Sequence, residues 1–473
     1  MIRKTKFIAT LGPATDSPEM LTRLIGAGVD VLRLNMSHAT HDWVRRIVPQ
    51  IRSIAAAAGR HTAILLDTQG PGIRTGDLPA KIHLSVGDRF VFTCRGEAVP
   101  ADTKGTTVGY DGFASDVQVG RVLVVDNGEF KMRVLAKTAS CVECEVLTEG
   151  DFGSRRHINL PGVRVSLPAL TDKDKADIAV GLELHVDFIA LSFVRDPEDI
   201  EQLRAMLPQK EAPQIVAKIE HQFAVDHFEA IARAADVIMV ARGDLGIECP
   251  YEELPIIQRR IVKVCQRIGR PVIVATQMLE SMIHNPTPTR AEITDVANAV
   301  YEQADAIMLS GETTVGRYPL GCVEVMDTIA RRIERSGGAG YHQHAELSEA
   351  RQKLVKRAVE LADDLQAPAV VVFTRGGRTA ATAAWMRPHN SHIHAFTTSE
   401  AVARSLALCR AVTAHVQTLE RTTTADAAET AALATLVAEH QVPAGAPVVI
   451  VTNIVNSAGV DRAVEGIRMR NAV

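Results

Sequence analysis

The feature that most restricts how this chain can fold is a rhythm. Through most of the first 340 residues, short apolar runs rich in Val, Ile and Ala alternate with longer amphipathic segments. Such alternation is the mark of parallel strands joined by crossover helices. Strands are expected at residues 6–12, 29–37, 62–68, 187–193, 214–220, 237–243, 271–277 and 306–310. Helices are expected at 17–27, 42–58, 196–207, 221–235, 251–268, 290–303 and 320–335, the first with Pro18 in its opening turn. Eight parallel strands, nearly every one trailed by a helix, predict a closed (β/α)8 barrel of the TIM type.

The rhythm breaks once. Between Gln69 and Leu160 the runs become short and alternating, with frequent Gly and Asp, which reads as a small all-β domain inserted after the third strand. The Gly-rich stretch Ser336-Gly-Gly-Ala-Gly340 then marks a linker, and helix and strand alternate again beyond it, with strands expected at 369–374, 393–397 and 447–452. The expected fold class is therefore α/β, in three parts. Residues 1–70 and 160–338 form the barrel, 71–159 the inserted β domain, and 339–473 a C-terminal α/β domain.

Composition removes several function classes. A net charge of −4 gives the chain no overall pull toward nucleic acid or an anionic membrane. No apolar run is long enough to span a bilayer, and Met1-Ile-Arg-Lys-Thr-Lys6 leads straight into strand-like sequence rather than a signal peptide. A cytoplasmic protein is expected. Its 7 cysteines are few and scattered, which suggests reduced thiols. Cys141-Val-Glu-Cys144 has metal-like spacing but sits in strand-like sequence, where residues three apart point to opposite faces. His389, His392 and His394 follow a proline in a polar stretch and read as a solvated loop.

In a β/α barrel the C-terminal ends of the strands converge on the active face. Polar residues gather there in this sequence. The second strand runs out through Arg33, Asn35 and Ser37, and the third through Asp67 and Thr68. The fifth carries Lys218 and Glu220 on one face, and the sixth ends Arg242-Gly-Asp244-Leu-Gly246. The seventh ends Thr276-Gln277 and the eighth Ser310-Gly-Glu312. Any one of these residues could be a cap or a buried ion pair. Together they would repel or go unpaired unless a ligand or metal belonged among them. Glu220 and Asp244 are hard oxygen ligands suited to magnesium, and Lys218 and Arg33 are cations suited to phosphate. Asn35, Ser37, Asp67 and Thr68 form a second oxygen-rich cluster, and the turn at residues 242–246 offers free amides to a carboxylate. No Walker loop is present, so a nucleotide would be held in another way.

These same stretches resemble the pyruvate kinase family. The resemblance is carried by Lys4-Thr-Lys-Phe-Ile-Ala-Thr-Leu-Gly-Pro-Ala14, Arg33-Leu-Asn-Met-Ser-His38, Asp67-Thr-Gln-Gly-Pro-Gly-Ile-Arg74 and Asn159-Leu-Pro-Gly162. It continues through Ala217-Lys-Ile-Glu220, Met239-Val-Ala-Arg-Gly-Asp-Leu-Gly246, Ala275-Thr-Gln-Met-Leu-Glu-Ser-Met282, Pro288-Thr-Arg-Ala-Glu292 and Met308-Leu-Ser-Gly-Glu312, and more weakly into the third domain. It implies that the β domain is a mobile lid and the C-terminal domain regulatory, in a homotetramer that moves phosphate from phosphoenolpyruvate to ADP, giving pyruvate and ATP. By position, Lys218 and Arg33 would serve the transferring phosphoryl group. Glu220 and Asp244 would hold magnesium, for which manganese can substitute. Gly243, Asp244 and Thr276 would grip the substrate carboxylate, and Thr276 and Ser310 would relay a proton. Asn35, Met36, Ser37, His38, Arg74 and Arg156 would approach the nucleotide, while Asn35, Ser37, Asp67 and Thr68 would hold potassium.

The sequence departs from that pattern at three places, Gln69, Gly72 and the Asp-Asn-Gly run at 126–128, which bear on cation dependence and lid closure. Thr374-Arg375-Gly376-Gly377-Arg378-Thr379 lies between an expected strand and helix and presents free amides and hydroxyls to an anion, as an effector phosphate site would. Residues 453–459 lack the Trp and Arg that relatives use for a second phosphate, so a monophosphate effector is expected. Two other readings remain. A dikinase-like phosphoenolpyruvate enzyme would need a phosphohistidine motif, which the sequence lacks; a silent sensor would not need Lys218, Glu220, Asp244 and Thr276 intact.

Overall fold

The eight expected barrel strands all form: Lys6–Thr10, Val31–Asn35, Ala63–Asp67, Phe188–Leu191, Gln214–Ile219, Val237–Ala241, Val272–Ala275 and Ala306–Leu309. The structure is a computed structural model that describes residues 2–126, 128–163, 165–418, 424–454 and 464–472. Each barrel strand pairs in parallel with its neighbour, and the eighth closes on the first with Lys6 opposite Ala306. The strands are apolar almost throughout because both faces are covered. Leu32, Leu66, Ile189 and Ile238 point out against helical Leu21, Ile47, Ile261 and Val323, while Ile8, Leu65, Val216, Met239 and Met308 fill the inside.

The helices fall close to their expected bounds, with two instructive exceptions. Residues 221–235 divide into Gln222–Asp226 and Phe228–Ala234. A helix at Asp172–Glu183, absent from the sequence reading, packs on the barrel behind a Thr171/Asp174 capping box. Its apolar face is interrupted by Asp174 and Asp177, both buried. Asp174 accepts from the Gly70 amide at 3.0 Å, and Asp177 pairs with Lys173 at 2.6 Å. Acids recruited as internal acceptors thus hide the helical period.

The inserted domain is β-rich as expected, built from a seven-stranded and a two-stranded sheet around Phe90, Phe92, Phe113, Phe130 and Phe152. Ile73–Arg74, Gly105–Thr107, Gly150–Phe152 and His157–Asn159 are strands of two or three residues, too short to show alternation, and Phe113–Asp116 is a single helical turn. Along Cys141–Val146 the even residues Val142, Cys144 and Val146 face the core, so the sulfurs of Cys141 and Cys144 lie on opposite faces. The chain enters this domain through Gly70 at φ +71°, where a Cβ would stand 2.7 Å from Ser192 Cβ. Only glycine fits that exit.

The C-terminal domain is a five-stranded sheet with helices. Three strands are the expected ones, Ala369–Phe373, His392–Thr397 and Pro447–Ile454; Val412–Val416 and Val464–Asn471 add two edges, the last antiparallel. The histidine expectation is corrected here. His389 is exposed, but His392 and His394 lie in the buried strand His392–Thr397, with His394 Nδ1 3.1 Å from His415 Nε2. Burial holds both rings neutral, His394 down at about 3. The neutral rings pack like aromatic residues, His394 edge-on to His392 and tilted against His415, which is why a polar-looking stretch can be a central strand.

This domain also closes one end of the barrel. Ala407 and Leu408 join the inward-facing cluster. Beside them, Lys6 Nζ donates to the Val412 carbonyl at 2.6 Å, and Arg387 pairs with Asp305 at 2.6 Å. The N-terminal mouth is plugged, and the C-terminal mouth faces the inserted domain.

Candidate active site

At the open mouth, the strand ends bring Arg33, Asn35, Ser37, His38, Thr68, Lys218, Glu220 and Asp244 around a cavity of about 420 Å³. Arg74, Arg156 and His157 of the inserted domain close its other side. The fifth strand supplies the centre. Lys218 Nζ lies 2.8 Å from Glu220 Oε1, 3.2 Å from Asp67 Oδ1 and 2.7 Å from Ser192 Oγ. Arg33 Nε donates to the other Asp67 oxygen at 2.6 Å.

The charges are unequal. Burial alone would depress the Lys218 ammonium, but Asp67, Glu220 and Asp244 overcome it and keep the group protonated well above neutral pH. Asp67 is likewise held below the usual carboxylate range, despite burial, by Lys218 and Arg33. Glu220 goes the other way. Its carboxyl is pushed above its ordinary range by burial and by the like charge of Asp244, against Lys218 and a 2.6 Å bond from the Phe193 amide. Two carboxylates that one buried ammonium does not neutralise are the donor set of a hard divalent cation. Glu220 and Asp244 therefore fit magnesium, or manganese, by this excess of negative charge. The second cluster fits a monovalent ion less completely. Asn35, Ser37 and Thr68 line the cavity, but Asn35 Oδ1 accepts the Ser37 amide at 3.1 Å and Thr68 Oγ1 donates to the Ala190 carbonyl and accepts the Ser192 amide, while Asp67 stands behind them with both oxygens held by cations.

The sixth strand passes directly into the helix Arg242–Glu248, which replaces the expected tight turn. Its N-cap residue makes no side-chain cap, but the amide at Gly243 that the sequence reading required is already engaged, by a Thr276 hydroxyl that donates in turn to the Ala275 carbonyl at 2.6 Å. The Gly243 amide donates to Thr276 Oγ1 at 2.8 Å. Thr276 has φ +68° and Gln277 φ +56°, left-handed geometry in two successive residues that are not glycine. Each such position costs on the order of 1–3 kcal/mol and persists only where its surroundings enforce it. Ser310 Oγ is buried without a hydrogen-bond partner, and its amide donates to Glu312 Oε2 at 2.7 Å.

Of the expected site residues, Met36, Asp67, Gly243, Thr276 and Ser310 do not line the cavity. The Met36 side chain is buried in the barrel core, its carbonyl accepts from Lys173 Nζ and its amide donates to the Asp67 carbonyl at 2.9 Å, so both of its backbone polar groups are engaged within the protein. Arg74 and Arg156 lie across the mouth on the inserted domain, where Arg156 pairs with Asp126 at 3.0 Å. Asn127 lies outside the described residues. Thr374, Arg375, Gly376, Gly377, Arg378 and Thr379 are remote from the cavity. They link Ala369–Phe373 to the helix Arg378–Trp385, which starts after Gly377 at φ +81° with no side-chain cap. The expected second-phosphate segment falls largely on residues outside those described.

Sequence reasoning missed Ser192 and Phe193. They follow the fourth strand, and the motif Leu191-Ser-Phe193 at a strand end was the available signal. Glu312, which the sequence places at the polar end of the eighth strand without a role, takes the Leu279 amide at 3.0 Å and the Ser310 amide.

Comparison with known proteins agrees with this geometry. The family profile described as the pyruvate kinase barrel domain matches residues 2–323, and that of the pyruvate kinase alpha/beta domain matches residues 352–461. The chain is 41% identical over 461 residues to plastidial pyruvate kinase 2 of Arabidopsis thaliana, covering 95% of this chain and 78% of the relative. It is 39% identical over 466 residues to a pyruvate kinase of Staphylococcus aureus strain MRSA252, covering 96% and 78%. A crystal structure of a pyruvate kinase from Cryptosporidium parvum superposes with a TM-score of 0.92 at 34% identity, covering 100% of this chain and 96% of the other.

Proposed function

The chain belongs to the pyruvate kinase family and is a phosphotransferase, and from that premise we propose that it transfers the phosphoryl group of phosphoenolpyruvate to ADP, yielding pyruvate and ATP. The observation that carries the reading is Lys218, a buried ammonium held protonated beside two carboxylates that it does not neutralise.

In the reaction the bond from phosphorus to the enol oxygen breaks and a bond to the β-phosphate oxygen of ADP forms, so charge spreads over the phosphoryl oxygens in flight. Catalysis of such a transfer is mainly positioning and neutralisation. Lys218 and Arg33 stand where fixed cations stabilise that charge. A divalent cation held by Glu220 and Asp244 would add positive charge to the phosphoryl and enolate oxygens. The Asp244 amide would orient the substrate carboxylate, and the Gly243 amide and the Thr276 hydroxyl would join it on giving up their bonds to each other and to the Ala275 carbonyl. The enolate left behind takes a proton at carbon, and Thr276 with Ser310 form a hydroxyl path for it; neither is acidic enough to be the sole donor. Asn35, Ser37, His38, Arg74 and Arg156 face the nucleotide across the mouth.

Potassium at Asn35, Ser37, Asp67 and Thr68, a phosphorylated effector at residues 374–379 and a homotetrameric assembly belong to the same proposal. So does a cytoplasmic location; no helix among the described residues is long and apolar enough to cross a membrane. The test is pyruvate formation from phosphoenolpyruvate and ADP, with magnesium and with a chelator. Pyruvate formed only with the metal supports the reading, and no pyruvate under either condition overturns it.

A further inference from the structure

Thr276 sits on the sharpest piece of backbone at the barrel mouth, and two side chains outside the proposed catalytic set hold it there. Between the strand Val272–Ala275 and the 3-10 turn Glu280–Ile283, Thr276 and Gln277 are both left-handed. Neither residue type favours that region, and a β-branched threonine favours it least. Something must enforce it. From one side, Arg242 reaches under the turn. Its Nη2 donates to the Thr276 carbonyl at 2.6 Å and its Nε to the Ala275 carbonyl at 3.3 Å. From the other side, Glu312 accepts the Leu279 amide at 3.0 Å.

The clamp is itself anchored. Arg242 is buried, and its Nη1 meets Asp295 at 2.6 Å and Gln258 at 3.3 Å, Gln258 being tied in turn to Glu302 at 3.0 Å. The planar guanidinium presents several N–H groups in fixed directions, which a lysine ammonium cannot reproduce. Glu312 also takes the Ser310 amide, so one carboxylate ties the segment that follows Thr276 to the other hydroxyl residue of the proton path.

We propose that Arg242 and Glu312 are positioning residues for the reaction: they hold the left-handed turn at Thr276 and Gln277, and through it the Thr276 hydroxyl, in place against the Gly243 amide. Arg242 acts through the turn rather than on the substrate, since its donors are spent on protein acceptors. The inference rests on the proposed reading of Thr276, deepening it to the residues that make Thr276 competent.

The test separates holding from charge. Arg242→Lys keeps the charge and loses the bidentate hold. Its kcat for pyruvate formation is expected to fall about 10- to 100-fold, the scale of a misplaced group, with the KM for ADP nearly unchanged. Exchange of the pyruvate methyl hydrogens with deuterated water, followed by NMR, isolates the proton step and should fall in parallel. Gln277→Asn, which tolerates left-handed backbone better, should restore several-fold of the lost kcat when combined with Arg242→Lys. Glu312→Gln, which retains one acceptor oxygen, serves if Arg242→Lys does not fold, and should lower the same two rates. A wild-type enzyme that makes no pyruvate would refute the functional reading instead. With wild type active, either a folded Arg242→Lys that matches its kcat and exchange, or a loss that Gln277→Asn leaves unrelieved, overturns the proposal. Where only Glu312→Gln folds, unchanged rates overturn it.

Discussion

The two mouths of the barrel both bury charge, and the contrast between them separates structure from chemistry. At the N-terminal mouth each carboxylate is matched. Asp30 takes Arg3 at 2.7 Å, Lys6 at 3.3 Å and the Phe7 amide, and these cations hold it below the ordinary carboxylate range despite burial. Asp305 has Arg387, and Glu334 has Arg410 and the Lys4 and Thr5 amides. Ala407 and Leu408 then close the barrel interior, and cavities of about 480 and 340 Å³ remain outside it, beside Lys6 and Asp30 and beside Asp305 and Arg387. At the C-terminal mouth, Glu220 stands above its ordinary range beside Asp244, and the space is open. Buried charge is therefore not the functional signal. Buried charge left unneutralised around a cavity is.

Breaking the contrast starts at the closed end, where the largest effect is expected. Arg387→Met leaves Asp305 buried without its cation and should cost about 3–5 kcal/mol of stability, read from denaturant unfolding. The kcat of the folded fraction should stay near wild type. A large loss of kcat at unchanged stability would erase the distinction between the ends.

A smaller effect sharpens the open end. The oxygen cluster has one carboxylate, Asp67, already shared by Arg33 and Lys218, and Gly72 supplies no further charge. Activity without potassium that rises several-fold with it is expected, the scale of one partly screened charge. The check is initial rate in potassium chloride against a bulky organic cation chloride at matched ionic strength. Gly72→Lys should abolish the rise; its side chain must displace the His157 ring, 3.3 Å from the site of a Cβ. Equal wild-type rates in the two salts would remove potassium from the account.

The smallest effect lies on the C-terminal domain. A hexose monophosphate or AMP should activate a few-fold, and Thr374→Ala with Arg378→Ala should remove that activation while basal kcat stays put. These residues flank amides with no side-chain cap. Activation by a sugar bisphosphate alone, or activation indifferent to both substitutions, would contradict the assignment.

The contrast also explains what the sequence could reveal. The barrel was legible because its period repeats eight times, and the mouth because polar residues at strand ends violate an otherwise apolar pattern, as Lys218 and Glu220 do in Gln214–Ile219 and just beyond it. The closed end was not legible. Lys4 and Lys6 look like an ordinary basic start, and their partners Glu334 and Val412 lie hundreds of residues away. His392 and His394 failed for a related reason, since a histidine kept neutral by burial is written like a polar one. Ser192 escaped because a single serine after Leu191 carries no charge to mark it. The left-handed turn at Thr276 is invisible in residue types altogether, since its cause is Arg242 from the neighbouring strand end.

The central claim, that the open mouth is a phosphoryl-transfer site built on Lys218, is tested most directly by Lys218→Met. Turnover from phosphoenolpyruvate and ADP at saturating magnesium should be compared with phosphoenolpyruvate affinity measured by titration calorimetry on the same preparation. The account predicts turnover lower by at least about a hundredfold, with affinity changed only a few-fold and cooperative unfolding retained. A folded variant whose turnover falls less than about tenfold would contradict it.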